Sequence, residues 1–97
     1  MVAGASKPLE WSRRALDGYR DTLSRISDED PHTAELVQER VEHALALICA
    51  HPALGTPGTR RGDYRFPIPR TGHVINYRVT RDAIRIQLWY RARQQVR

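Results

Sequence analysis

The sequence predicts an α+β domain, in which a short strand and a helical hairpin precede an antiparallel sheet, and three observations predict it. The last third of the chain, Arg60 to Arg93, holds three runs in which β-branched and aromatic residues recur at every second position, separated by turn residues and studded with arginine. Two earlier segments carry apolar residues at helical spacing, and the stretch between helices and sheet is punctuated by Pro and Gly. Period two marks strands with one face on a core, and period 3.6 marks helices that can cover it. Two amphipathic helices on a twisted sheet give a two-layer architecture.

The elements follow in order. Lys7 to Trp11 is a short extended candidate, with Leu9 and Trp11 pointing one way and Pro8 where a strand edge tolerates it. Ser12 is placed to cap a first helix whose Ala15, Leu16, Tyr19, Leu23 and Ile26 form one stripe. Asp28-Glu29-Asp30-Pro31 ends that helix and opens a second, with Asp30 as N-cap and Pro31 at the first helical position, where its missing N–H costs nothing. Ala34, Val37, Val41, Ala44, Leu45 and Ile48 line the second helix to about His51. Pro52, Gly55, Pro57, Gly58 and Gly62 then make a plain connection to the sheet.

In the sheet, Tyr64, Phe66 and Ile68 form the apolar set of the first run, and Ile75, Tyr77 and Val79 that of the second. Ile84, Ile86, Leu88 and Tyr90 form the third, alternating with Arg85, Gln87, Trp89 and Arg91. The connections Pro69 to Gly72 and Thr80 to Asp82 are short enough to require a meander. The face without helices is expected to be open, with Arg65, Asn76, Arg78, Arg85, Gln87 and Trp89 on it. An exposed Trp89 among arginines would stack on a base or anchor a partner helix; the alternative is packing against a terminal segment.

Length and charge bound the function. Ninety-seven residues are read as one domain over the whole chain, 1–97, able to bury roughly 60 to 65 per cent of its unfolded surface. No run of 18 apolar residues exists to span a membrane and Met1 to Lys7 lacks a signal-peptide core, so a cytoplasmic location without membrane contact is expected. Cys49 is alone, which excludes an internal disulfide, and reads as a small buried hydrophobe. Residues 1–50 carry six basic against nine acidic side chains, whereas residues 51–97 carry ten arginines against Asp63 and Asp82. The net charges of −3 and +8 make a polarised field that favours a polyanion or an acidic protein on the sheet half. Fifteen of the sixteen basic residues are Arg, suited to bidentate phosphate or carboxylate contacts and poor at moving protons.

Conventional catalytic chemistry finds no support. His32, His43, His51 and His73 show no metal-ligand spacing, and no metal or cofactor is expected. Gly55 to Gly62 lacks the Gly-Lys-Ser/Thr ending of a phosphate loop. Asp28 and Asp30 look like helix-boundary residues and not a general acid/base pair.

The pieces together resemble a family. Trp11, Ala15 and Leu16-Asp17 come first, then Pro31 and Ala34 opening a helix, then Pro52 with Leu54-Gly55. Gly62 and Arg65 enter the sheet, Gly72 to Val79 reads Gly-His-Val-Ile-Asn-Tyr-Arg-Val, and Tyr90-Arg91-Ala92-Arg93 ends it. In order and spacing these resemble the RelE/ParE superfamily of type II toxin–antitoxin toxins, most nearly its ParE branch, which includes plasmid stabilisation proteins. The resemblance implies a bacterial toxin that inhibits growth, with a cognate antitoxin whose acidic segment folds over it, and a homodimer or a hetero-oligomer with that antitoxin. RelE-like members cleave mRNA on the ribosome with basic side chains; ParE-like members bind and poison DNA gyrase without covalent chemistry.

Aligned on Tyr64 and Gly72, the basic positions of the RNA-cleaving members fall on Arg65, Pro67 and Val74, and only Arg65 and Arg93 keep a basic group. The resemblance therefore favours a gyrase inhibitor over a metal-independent endoribonuclease. If the chain were an endoribonuclease, Arg65, Tyr90 and Arg93 would be catalytic, with Tyr90 where the family usually has His; otherwise Tyr90 is a core aromatic beside Ile84, Ile86 and Leu88. As a docking protein it would use Arg60, Arg61, Arg65, Arg78, Arg85, Trp89, Tyr90 and Arg93 toward its target or antitoxin. A non-toxic, arginine-rich nucleic-acid-binding module is the remaining alternative.

Overall fold

The computed structural model describes residues 7–92, and Arg93 lies outside the described residues. Strand β1 (Leu9–Trp11) leads into helix α1 (Arg13–Glu29), which turns at Asp30 into helix α2 (Pro31–Ala50). A single 3-10 turn (Pro52–Leu54) and a two-residue strand β2 (Thr56–Pro57) connect to β3 (Asp63–Ile68), β4 (His73–Val79) and β5 (Ile84–Arg91). The strands form one five-stranded sheet in the order β1-β5-β4-β3-β2. The meander is antiparallel, and β1 lies parallel to β5 with Leu9 opposite Ile84 and Trp11 opposite Ile86. The connection foreseen between Gly55 and Gly62 is thus part of the sheet, because Thr56 and Pro57 pair with Arg65 and Tyr64. Pro57 has no N–H to offer, which suits an edge strand.

Both helix starts are chemically capped. The Ser12 hydroxyl accepts from Ala15 N at 3.0 Å, and the Asp30 carboxylate accepts from His32 N at 3.1 Å and from the Thr33 hydroxyl at 2.7 Å. Those bonds hold the Asp30 carboxyl below the usual carboxylate range. The Asp30 N–H also closes α1 by donating to Ile26 O, so one residue serves both helices.

The core lies between the helix pair and one sheet face. Val37, Val41, Ala44 and Ile48 of α2 and Ala15 of α1 meet Ile68, Ile75, Tyr77, Ile84, Ile86 and Trp89. Cys49 packs at its margin, half-buried, and burial pushes its thiol pKa up. Tyr77 fixes the connection to the sheet: its buried hydroxyl donates to Pro52 O at 2.8 Å and accepts from Gly55 N at 3.0 Å. A Cβ on Gly55 would stand 2.7 Å from Arg65 O and 2.9 Å from that hydroxyl, so the Pro-x-Leu-Gly piece is a close backbone approach.

Strand β5 departs from simple alternation. Asn76 pairs with Leu88 while Tyr77 pairs with Ile86, leaving Gln87 as an extra, bulged residue. Ser12 holds the bulge, since its N–H donates to Ile86 O at 2.9 Å and its hydroxyl to Gln87 O at 3.0 Å. Beyond the bulge every side chain changes face. Trp89, expected on the open face, is instead only 9 % exposed beneath α1, and Tyr90 and Leu88 leave the face of Ile84 and Ile86.

Candidate functional site

The sheet face away from the helices is covered by no described element, and its side chains fall into three cross-strand rows. The first runs Glu10, Arg85, Arg78, Asp63. Arg85 and Arg78 stand directly opposite each other, a repulsive placement. Acids at both ends offset it: Arg78 Nη2 lies 2.9 Å from Asp63 Oδ1 and Arg85 Nη1 lies 3.5 Å from Glu10 Oε1. The Asp63 oxygen is buried without a hydrogen-bond partner among the described residues, so the Arg78 ion pair is what offsets its burial. These two arginines, expected to face a target freely, are neutralised within the sheet.

The second row runs Thr56, Arg65, Asn76, Leu88. Arg65 is exposed and has no ion pair among the described residues. The third row, Pro67, Val74, Tyr90, is apolar in body. Tyr90 is half-buried, and its hydroxyl donates to Asn76 Oδ1 at 3.0 Å. Tyr90 and Arg65 therefore flank one asparagine. Arg60 and Arg61 are exposed on the turn before β3, at the same end as the charged row. The open face thus offers the exposed Pro67 and the half-buried Tyr90 on either side of a Val74 that is only 3 % exposed, with one guanidinium unpaired among the described residues and an amide, which suits docking. Proton transfer has little to work with there, because the phenol is engaged as a donor and no carboxylate or imidazole stands in either row.

A second concavity lies at the far end of the opposite face, between the C-terminal half of α1 and the ends of β4 and β5. This cleft, of about 210 Å³, is lined by Thr22, Arg25, Ile26, Glu29, His73 and Arg91. His73 and Arg91 are cross-strand partners. The His73 ring is 8 % exposed and stacks on Trp89 at 4.8 Å and 13°. Trp89 in turn meets Tyr19 at 4.9 Å, and Tyr19 stacks on Trp11 at 5.2 Å. The buried indole N–H is satisfied by the Thr22 hydroxyl at 2.9 Å. Desolvation first, and then the guanidiniums of Arg91 and Arg25, hold the His73 pKa below its ordinary value, against a hydrogen bond to Thr71 O at 3.1 Å that raises it. Among the described residues no group of three or more His, Cys, Asp or Glu could hold a metal ion. No helix in them is long and apolar enough to cross a membrane.

Comparison with known proteins fits this architecture. The family described as ParE toxin of type II toxin-antitoxin system, parDE, matches residues 9–94. The chain belongs to the ParE toxin family. A candidate toxin of Sinorhizobium fredii (strain NBRC 101917 / NGR234), Y4kP, is 29 % identical over 76 residues, covering 78 % of this chain and 79 % of its own. A solved structure described as the chromosomal ParDE TA system from P. aeruginosa superposes with a TM-score of 0.76. It covers 93 % of this chain and all of its own at 17 % identity, a likeness of fold. The match to the ParE toxin family spans every strand and both helices, from β1 to beyond β5.

The expected site residues are thus only partly brought together. Arg65, Arg78, Arg85 and Tyr90 share the open face, with Arg60 and Arg61 at its rim, whereas Trp89 belongs to the core. Arg25, His73 and Arg91 gather at the second cleft, a grouping the sequence reading did not single out. The residues adjoining the short Pro69 to Gly72 turn, and the spacing of α1, carry its only sequence signal.

Proposed function

We propose that this ParE-family toxin acts by binding DNA gyrase through its open sheet face, without catalysing a reaction, and that a cognate antitoxin neutralises it by covering that surface. The observation that carries the reading is the Pro67–Val74–Tyr90 row beside the unpaired Arg65. Pro67 and Val74 stand where RNA-cleaving relatives in the wider superfamily carry basic groups, and neither can activate a hydroxyl or stabilise a phosphorane. A partly apolar surface with one free guanidinium is the composition of a docking anchor. It also suits an acidic, coupled-folding segment as a cover.

The test uses the purified chain with gyrase and plasmid DNA, beside a ribosome-dependent translation reaction. The expected result is loss of supercoiling with accumulation of cleaved plasmid, relieved by Arg65→Glu, and no effect on the message. One observation favours a second reading: Tyr90 and Arg65 both flank Asn76, so a phenol and a guanidinium are near each other on one face. If message were cut and Tyr90→Phe and Arg65→Ala each abolished the cutting, the endoribonuclease reading would replace the first.

A further inference from the structure

The cleft lined by Arg25, His73 and Arg91 is absorbed by none of the roles given to the open face. Its floor is fixed: His73 is held by the Trp89 stack on one side and by the Nδ1 contact to Thr71 O, while Trp89 is pinned through Thr22. The ring's other nitrogen, Nε2, has no protein partner among the described residues, and the ring forms part of the cleft wall. Arg91 is exposed and without an ion pair among the described residues, and Arg25 has only a loose 3.9 Å contact to Asp21 on its own helix. Two guanidiniums therefore converge on a rigid imidazole wall with their charge largely unspent.

We propose that this cleft holds one carboxylate of an acidic polypeptide segment, between the Arg25 and Arg91 guanidiniums and against the Nε2 edge of His73. Guanidiniums match carboxylates bidentately. The rim decides against a nucleic acid. Asp21 and Glu29 stand at the cleft with Arg25. They repel a strand carrying a charge at every phosphate, while a single carboxylate can enter between the arginines. Charged groups facing His73 come from α1 (Asp21, Arg25, Glu29) and β5 (Arg91), and the fields that reach the ring are those of Arg91 and Arg25. A bound carboxylate offsets those fields and offers Nε2 an acceptor, so His73 takes up a proton as the ligand binds. The inference rests on the antitoxin reading only in identifying the acidic segment with part of the antitoxin; the cleft chemistry stands apart from it.

The test follows the His73 ring by NMR through a pH titration of the full chain, alone and with an N-acetylated, C-amidated Glu-Leu-Glu-Leu-Glu peptide. The expected result is a rise of the His73 pKa by about one unit, a roughly tenfold coupling, abolished by Arg91→Ala, with His32, His43 and His51 unmoved. An unmoved His73 at saturating peptide would overturn the proposal, as would a shift produced by a dT oligonucleotide and not by the peptide. The antitoxin reading is scored separately, by co-expressing the small protein encoded beside this chain and reading growth. Rescue of growth with a silent His73 refutes the cleft alone; a shifted His73 without rescue supports the cleft and refutes the antitoxin reading.

Discussion

Tyr77→Phe removes one oxygen and leaves the ring, so it isolates the hydrogen bonds that join the helical half to the sheet. The ring keeps its stack on Tyr64, at 5.3 Å and 18°. What is lost is the donor to Pro52 O and the acceptor for Gly55 N. Burial pushes the Tyr77 pKa up, so the hydroxyl stays protonated and donates at every working pH. Pro52 is only half-buried and its carbonyl can turn to water, but Gly55 is buried against Arg65 O and Tyr64 Cβ. The space vacated by one oxygen does not hold a water molecule, which occupies about 30 Å³ in the liquid. The orphaned N–H then costs about 1–3 kcal/mol, to which the net worth of the second bond adds about 1 kcal/mol. A loss of about 2–4 kcal/mol lowers Tm by about 10–30 °C in a domain of this size. Urea and thermal unfolding followed by circular dichroism measure it, with the urea slope unchanged. A loss below about 0.5 kcal/mol would refute the claim that Tyr77 clamps the loop.

The remaining predictions concern the bulge, the charged row and the histidine. Ser12→Ala removes both a helix cap and the partner of Gln87 O, and should cost about 1.5–2.5 kcal/mol in urea unfolding; a cost equal to an exposed cap alone would mean the bulge holds itself. Arg78→Ala strands the buried Asp63 oxygen and should cost about 1–3 kcal/mol, whereas Arg85→Ala, in an exposed pair, should stay within about 0.5 kcal/mol; equal costs would contradict the row as drawn. The His73 pKa lies below its unfolded value of 6.5, so the unfolded chain binds the proton first. Its contribution is complete above 6.5 and is lost as pH falls through the folded value, and His73→Gln should flatten that part of the stability profile. An unchanged slope between pH 7.5 and 5.5 would contradict this.

Much of the fold was legible because it rests on local patterns. Helical stripes, the Asp30-Pro31 junction and the short turns after Ile68 and Val79 each carry their own signal. The bulge did not, because Gln87-Leu88-Trp89-Tyr90 continues the alternation of Ile84 to Ile86 without a break. What displaces it is the Ser12 hydroxyl, 75 residues away, and so Trp89 and Tyr90 were expected on each other's faces. Arginine counts likewise overstate the free charge of the open face. Asp63 and Glu10 neutralise Arg78 and Arg85 only through strand register, one of them across the parallel β1–β5 pair. Thr22 is a polar residue within the apolar stripe of α1, and its burial is explained by an indole that sequence reasoning placed on the far side.

The most direct test of a gyrase-binding, non-catalytic toxin is tightly controlled expression of this chain in bacteria, with DNA integrity and transcript cleavage read from the same culture. The account predicts broken DNA and an SOS response with transcripts intact. Cut transcripts with intact DNA would contradict it, and would make Tyr90 and Arg65 reacting groups in place of a docking surface.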